Sequence, residues 1–175
     1  MSFMQPIIFV DLDGVLVNLV AGLSKVVGEE IESANSDTFK KHYYKLVESL
    51  NHDDLVNFWT HLPPTDDCMT IWNSLKHLQP LILTAVTDSM ASCEGKKNWV
   101  EKHLKIPRDR VFCACKSREK QKYASTNSIL IDDYDKNIEE FKNKGGHGIL
   151  HTRTKKTLKE LQKILNQWDL KLNRS

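Results

Sequence analysis

From Pro80 onward the chain alternates short apolar runs with helical segments, and that rhythm constrains the fold more than any other feature. The runs are Pro80–Leu83 (PLIL), Arg110–Cys113, Ser128–Ile131 (SILI) and His147–Leu150. Between them, Lys96–Leu104, Arg118–Ala124 and Asp135–Lys144 read as helices, and Thr154–Trp168 closes the series as an amphipathic helix. Gly145-Gly146 stops the helix before the last run. An earlier run, Pro6–Val10 (PIIFV), ends abruptly at Asp11, and its length and Ile/Val content mark a buried strand. Strands that alternate with helices build a parallel sheet covered by helices on both faces, a Rossmann-like α/β arrangement. Such open sheets bind ligands at the C-terminal ends of their strands.

The stretch between the first and second strands breaks the rhythm. Val15–Val27 reads as a helix, with an irregular turn at Gly14. Ser36–Leu50 places Phe39, Tyr43, Leu46, Val47 and Leu50 at helical spacing behind a Ser36 or Asp37 cap. Asp53–Trp59 is a further short helix, and His61-Leu62-Pro63-Pro64 is a break. Thr65 or Asp66 then caps a helix to about His77, with Met69, Trp72 and Leu75 on one face. Residues 18–77 offer no convincing strand, so the expected division is a core of 1–17 and 78–175 with a small helical cap of 18–77 inserted after the first strand.

A chain of 175 residues can bury a core without staples. Its formal charge of +2 is too mild to imply a membrane surface or a long nucleic acid. No run is long enough to span a bilayer and the N-terminal residues do not resemble a signal peptide, so a cytoplasmic location is expected. Cys68, Cys93, Cys113 and Cys115 lack zinc-site spacing and are expected as free thiols in a reducing compartment.

The polar residues at the strand ends form a pattern. The first strand runs into Asp11-Leu12-Asp13-Gly14-Val15, the second into Thr84-Ala85, and the fourth into Asp132-Asp133. A parallel sheet brings these segments together. Asp11, Asp13 and Asp132 make a hard oxygen set suited to Mg²⁺, and without a cation such carboxylates repel one another. Asp11, at the end of a strand, can be aimed along a phosphorus–oxygen bond as a nucleophile. Asp13, two residues on, can give a proton to the leaving oxygen and later activate water. Gly14 permits a tight turn that exposes amides to phosphate. Thr84 and Ala85 offer a hydroxyl and an amide to a phosphoryl oxygen, and a lysine can balance the charge.

This order of motifs resembles the haloacid dehalogenase (HAD) superfamily, and the likeness runs from Pro6 to the last strand. It rests on Asp11, Asp13, Gly14, Thr84, Asp132 and Asp133. The resemblance implies a Rossmann-like sheet, Mg²⁺ held by Asp11, Asp13 and Asp132 with Asp133 behind them, and an aspartyl-phosphate intermediate. An Asp at the position of Asp13 is typical of the superfamily's phosphatases. Its lysine falls on Lys116, Lys120 or Lys122. Lys120 is favoured, because Lys120-Gln121 before Tyr123-Ala124 resembles one subgroup. The helical insertion, the Phe58-Trp59 pair and Leu130-Ile131-Asp132-Asp133 are similar to the 5′(3′)-deoxyribonucleotidases and their bacterial and phage relatives. That likeness implies base contacts by Phe58 and Trp59. Leu19 departs from it, standing where some members place an aromatic.

Each motif alone has a plainer explanation. Asp-Gly is turn chemistry, Asp132-Asp133 can begin a helix, and an aromatic pair in a helix is usually core. The expected activity is hydrolysis of a phosphate monoester, a nucleoside monophosphate first. Another small phosphometabolite, the terminal phosphate of a nucleic acid, and a non-catalytic phosphate-binding module are the alternatives. The expected partner is thus a small phosphorylated molecule, with no membrane and no long nucleic acid; a homodimer is left open.

Overall fold

A computed structural model describes residues 5–86 and 90–173. The termini of the expected core, residues 1–4 and 174–175, lie outside the described residues. Five strands form one sheet: β1 (Ile7–Val10), β2 (Leu81–Ala85), β3 (Val111–Ala114), β4 (Ser128–Asp132) and β5 (His147–Leu150). Their order is β3-β2-β1-β4-β5, and every pairing is parallel. The expected parallel α/β sheet is therefore present.

Side chains of period two sort the core into two layers. Ile8, Val10, Ile82, Ile129, Ile131 and Ile149 face a large cluster that also takes in Trp72, Trp99, Leu161 and Leu165. These come from α4 (Cys68–Leu75), α5 (Met90–Leu104) and α7 (Thr154–Leu165). Phe9, Leu83 and Leu130 face the opposite way, onto Ile138 and Phe141 of α6 (Asp135–Asn143). Both faces of the sheet are thus covered by helices.

Residues 18–77 contribute α1 (Leu19–Val27), α2 (Asp37–Ser49), α3 (His52–Thr60) and α4, and none of the five strands. Ser36 caps α2 by accepting the Phe39 amide at 3.0 Å. Asn51 caps α3 through the Asp54 amide at 2.9 Å. Helix α3 lies along α5, and Gly95 makes the approach close: a Cβ there would collide with the Trp59 side chain and sit 2.7 Å from the Val56 carbonyl.

Several boundaries differ from expectation. Val15–Val17 is not helical, because the amides of Val15, Leu16 and Val17 all turn back to the Leu12 carbonyl. Neither Thr65 nor Asp66 caps α4. The Thr65 hydroxyl instead donates to the Val15 carbonyl at 2.9 Å, tying this break to the loop after β1. Met69 is exposed, and Cys68, Ile71, Trp72 and Leu75 are the buried face of α4. Helix α5 begins at Met90, six residues before the expected start at Lys96, through a Ser/Cys/Glu/Gly stretch with no apolar period. The segment Ser117–Tyr123 is a 3₁₀ turn. Cys93 and Cys113 are joined by a disulfide, which corrects the expectation of free thiols for this pair. The crossover that lays α5 over β3 brings them together, and spacing along the chain does not reveal it. Cys68 and Cys115 are free. Among the described residues no helix is long and apolar enough to cross a membrane.

Candidate active site

Register places the acids. Val10 pairs with Ile131, and the Asp11 amide donates to the Ile131 carbonyl at 2.9 Å. The next residue on each strand, Asp11 and Asp132, is therefore carried to the same sheet end. Both side chains are buried. Lys120, 1% exposed, reaches between them from the 3₁₀ turn. Its Nζ is 2.9 Å from Asp11 Oδ1 and 2.6 Å from Asp132 Oδ2. Lys122 is on the surface, paired with Glu119 at 3.2 Å. Lys116 is exposed as well. Of the three candidate lysines, Lys120 is the one that meets the acids.

Asp132 is held from every side. Its Oδ1 accepts the Tyr134 amide at 2.9 Å. Its Oδ2 also accepts from Asn137 Nδ2 at 3.0 Å, and Asn137 is fixed in turn by the Ser117 hydroxyl at 2.7 Å. Gly14 closes the opposite wall with φ +80°, and a Cβ there would overlap the Asp133 carboxylate. Glycine is thus required twice, by conformation and by space. Its amide donates to the Val17 carbonyl at 2.9 Å, so this particular amide is spent within the turn and does not face a ligand.

Asp11, Asp132 and Asp133 each offer an oxygen within 4.8 Å of the others. Asp13 is not in that group, which departs from the expected set of Asp11, Asp13 and Asp132 and brings Asp133 forward. Asp13 is taken by Lys96, a residue outside the expected site. Lys96 is 3% exposed, and its Nζ donates to Asp13 Oδ2 at 2.6 Å, to the Ala85 carbonyl at 2.6 Å and to Thr84 Oγ1 at 3.2 Å. It also sits 4.6 Å from the Trp59 ring centroid, within cation–π range. One buried ammonium thus ties the acid of the first strand end to the polar end of the second.

Burial pushes the Asp11 carboxyl up to about 8; Asp132, Asp13 and Asp133 push the same way, and Lys120 opposes them. Asp133 rises to about 6, first through desolvation and then through Asp132. Burial disfavours the Lys120 charge, but Asp11 and Asp132 outweigh it and hold the ammonium above its ordinary value. A cluster of acids held this close together is suited to a hard divalent cation. Asp13 Oδ1 is buried and has no hydrogen-bond partner, so a polar atom at the cluster's edge also awaits a ligand. The donor set fits Mg²⁺.

A cavity of about 580 Å³ opens over this floor, lined by Asp11, Asp13, Lys120, Asp132 and Asp133. Its outer wall is Val17, Leu19, Val20, the segment Ser33–Asn35 and Tyr134. Thr84 and Ala85 are not among the lining residues, and the Thr84 hydroxyl is engaged by Lys96. Phe58 and Trp59 do not line it either. Trp59 is 2% exposed and packs edge-on against Tyr43 and Phe58. Of the aromatic pair expected to touch a base, Trp59 is core and Phe58 is half-buried against that core. A surface groove of about 640 Å³ beside Arg118, Glu119, Lys122 and Lys144 is lined by none of Asp11, Asp13, Asp132 and Asp133.

Lys96, Asn137, Ser117 and Tyr134 escaped the reading of the sequence. For Lys96 a signal was present: it shares a helix face with Trp99 and Val100, both fully buried, and a lysine on a buried face needs a partner. Asn137, Ser117 and Tyr134 give no comparable signal, because their roles depend on where the turn before β4 and the start of α6 meet.

The family described as 5′ nucleotidase, deoxy (pyrimidine), cytosolic type C protein matches residues 5–169. No curated protein sequence matches the chain. Among solved structures, a phosphoserine phosphatase in its apo form superposes with a TM-score of 0.53 at 15% identity, over 93% of this chain and 98% of that one. A hydrolase from Streptococcus pneumoniae TIGR4 gives 0.49 at 11% identity, over 93% and 100%. A HAD hydrolase of family IA, variant 3, from Entamoeba histolytica gives 0.46 at 14% identity, over 91% and 89%.

Proposed function

The chain belongs to the cytosolic type C 5′-nucleotidase family of HAD-type phosphatases, and on that footing we propose that it hydrolyses nucleoside monophosphates through an aspartyl-phosphate on Asp11. The observation that carries this reading is the buried Lys120 bridging Asp11 at 2.9 Å and Asp132 at 2.6 Å on the floor of an open cavity. A carboxylate and an ammonium fixed at a cavity floor can receive a phosphoryl group and its charge together.

Mg²⁺ would be held by the carboxylates of Asp11, Asp132 and Asp133. When bound it would neutralise phosphate charge and keep Asp11 ionised. Asp11 attacks phosphorus in line with the leaving oxygen, the new oxygen–phosphorus bond forms as the ester bond breaks, and Asp13 supplies the proton that leaves with the alcohol. Asp13 then takes a proton from water as the water attacks the acyl phosphate, releasing inorganic phosphate and restoring Asp11. Lys120 balances the Asp11 and phosphate charge in both steps. Asn137 and the Tyr134 amide hold Asp132 in place. Lys96 fixes where the Asp13 carboxylate starts from.

The division into a core and a helical cap of 18–77 serves the same reading, since Leu19, Val20 and Ser33–Asn35 supply the outer wall. A second reading, a small phosphorylated metabolite without a base, draws support from the burial of Trp59 away from the cavity. Phosphate release separates the two. Deoxy- and ribonucleoside monophosphates, ribose 5-phosphate and p-nitrophenyl phosphate are compared with and without Mg²⁺. Mg²⁺-dependent release that favours the nucleotides is expected. Equal rates on ribose 5-phosphate would replace the nucleotidase with the second reading, and no release from any ester would remove both.

A further inference from the structure

We infer that Tyr134 is the specificity-determining aromatic of this site, the ring against which the leaving group's base stacks. The inference rests on the nucleotidase reading and names the residue that gives it selectivity. A nucleobase presents two π faces and a polar edge, so an accessible ring beside the phosphate site distinguishes it from a bare sugar phosphate by stacking. Phe58 and Trp59 do not line the cavity. The rest of the outer wall is non-aromatic: Val17, Leu19, Val20, Ser33, Ala34 and Asn35. Among the described residues Tyr134 is the aromatic one in that lining, and it is 46% exposed.

Its backbone is as firmly fixed as its ring is accessible. The Tyr134 amide donates to Asp132 Oδ1 at 2.9 Å. Its carbonyl accepts from the Asn137 amide at 3.1 Å and the Ile138 amide at 3.3 Å, starting α6. The residue therefore hangs from the same carboxylate that anchors the acid cluster, one position beyond Asp133. A stacking platform works best when its ordering is settled before the ligand arrives. The described residues show no ring contact with Tyr134, whereas Phe9, Phe39, Tyr43, Phe112 and Trp99 are all engaged with other rings.

The test is a ratio within one protein, kcat/KM for a nucleoside monophosphate over kcat/KM for ribose 5-phosphate, measured for wild type, Tyr134→Phe and Tyr134→Ala. Stacking on one ring predicts that Tyr134→Ala lowers this ratio by ~10-fold or more while Tyr134→Phe keeps it. A Tyr134→Ala variant with the wild-type ratio overturns the inference and leaves the nucleotidase standing. So does a variant that loses both substrates equally, since that would place Tyr134 in support of Asp132 instead. A wild-type enzyme with no preference for the nucleotide removes the nucleotidase reading itself, and the platform with it.

Discussion

The floor and the outer wall of the cavity are built on opposite principles. On the floor, Lys120, Asp11, Asp132 and Asn137 are buried and pair with one another. On the wall, Leu19, Val20, Ser33–Asn35 and Tyr134 line the opening with uncharged side chains. A removed charge on the floor leaves its partner stranded in low dielectric, so the effect is large and independent of which ester is bound. A changed wall residue alters only the fit of the leaving group, so the effect is smaller and differs between substrates. Chemistry and selectivity are thereby assigned to different parts of one cavity.

The contrast sets the expected order of effects. Asp11→Asn removes the nucleophile, and turnover of every ester is expected to fall by at least ~10³-fold while phosphate still binds. Substantial activity in this variant on any substrate would break the distinction at its strongest point. Lys96→Met releases the Asp13 carboxylate, and steady-state kinetics are expected to show kcat reduced by about 10²-fold with KM changed far less. A change in KM alone would move Lys96 from the chemistry to substrate binding. Trp59→Ala opens a hole between α3 and α5. It is expected to cost about 3–5 kcal/mol in denaturant unfolding and to reduce all substrates alike. A loss confined to nucleotides would restore Trp59 to the substrate wall.

The acid cluster also predicts how stability follows pH. Asp11 and Asp133 bind protons more tightly folded than unfolded, with folded values of about 8 and about 6 against an ordinary 3.8. The folded protein therefore holds more protons through that interval, and its stability falls as pH rises from about 4 toward 8. Melting curves of metal-free protein are expected to show this decline, and added Mg²⁺ is expected to raise Tm more at pH 8 than at pH 5. A Mg²⁺ effect that is equal at both pH values would contradict the assignment of the cation to these acids. The smallest effect is reserved for Lys122→Ala, whose exposed pair with Glu119 is worth roughly 0–1 kcal/mol and whose kinetics are expected to match wild type.

The legibility of the sequence follows the same contrast. The strands were readable because Ile/Val runs end at turn-forming or acidic residues, and the floor was readable because Asp11, Asp13 and Asp132 all lie at or next to strand ends. Lys120 needed the family resemblance to single it out from Lys116 and Lys122. The wall was not readable: Ser33–Asn35 belongs to a loop whose position depends on how α1 and α2 meet. Phe58-Trp59 could not be resolved from sequence, because an aromatic pair carries the same signal whether it faces a ligand or the core: Trp59 is buried and Phe58 half-buried. The partners of Lys96 and the Cys93–Cys113 disulfide arise from the placement of α5 over β2 and β3; the helix face of Lys96 signals that it needs a partner but not which one.

The central claim is that Asp11 carries the phosphoryl group, and the most direct test is to look for it there. Wild type and Asp13→Asn protein are mixed with a nucleoside monophosphate and Mg²⁺, quenched in acid within the first turnover and digested, and the peptide containing Asp11 is weighed by mass spectrometry. The account predicts a phosphoryl group on Asp11 in the wild type. In Asp13→Asn it predicts a slower appearance and a longer persistence, because Asp13 serves both steps. Stoichiometric release of phosphate by the wild type with Asp11 unmodified throughout the turnover would contradict it.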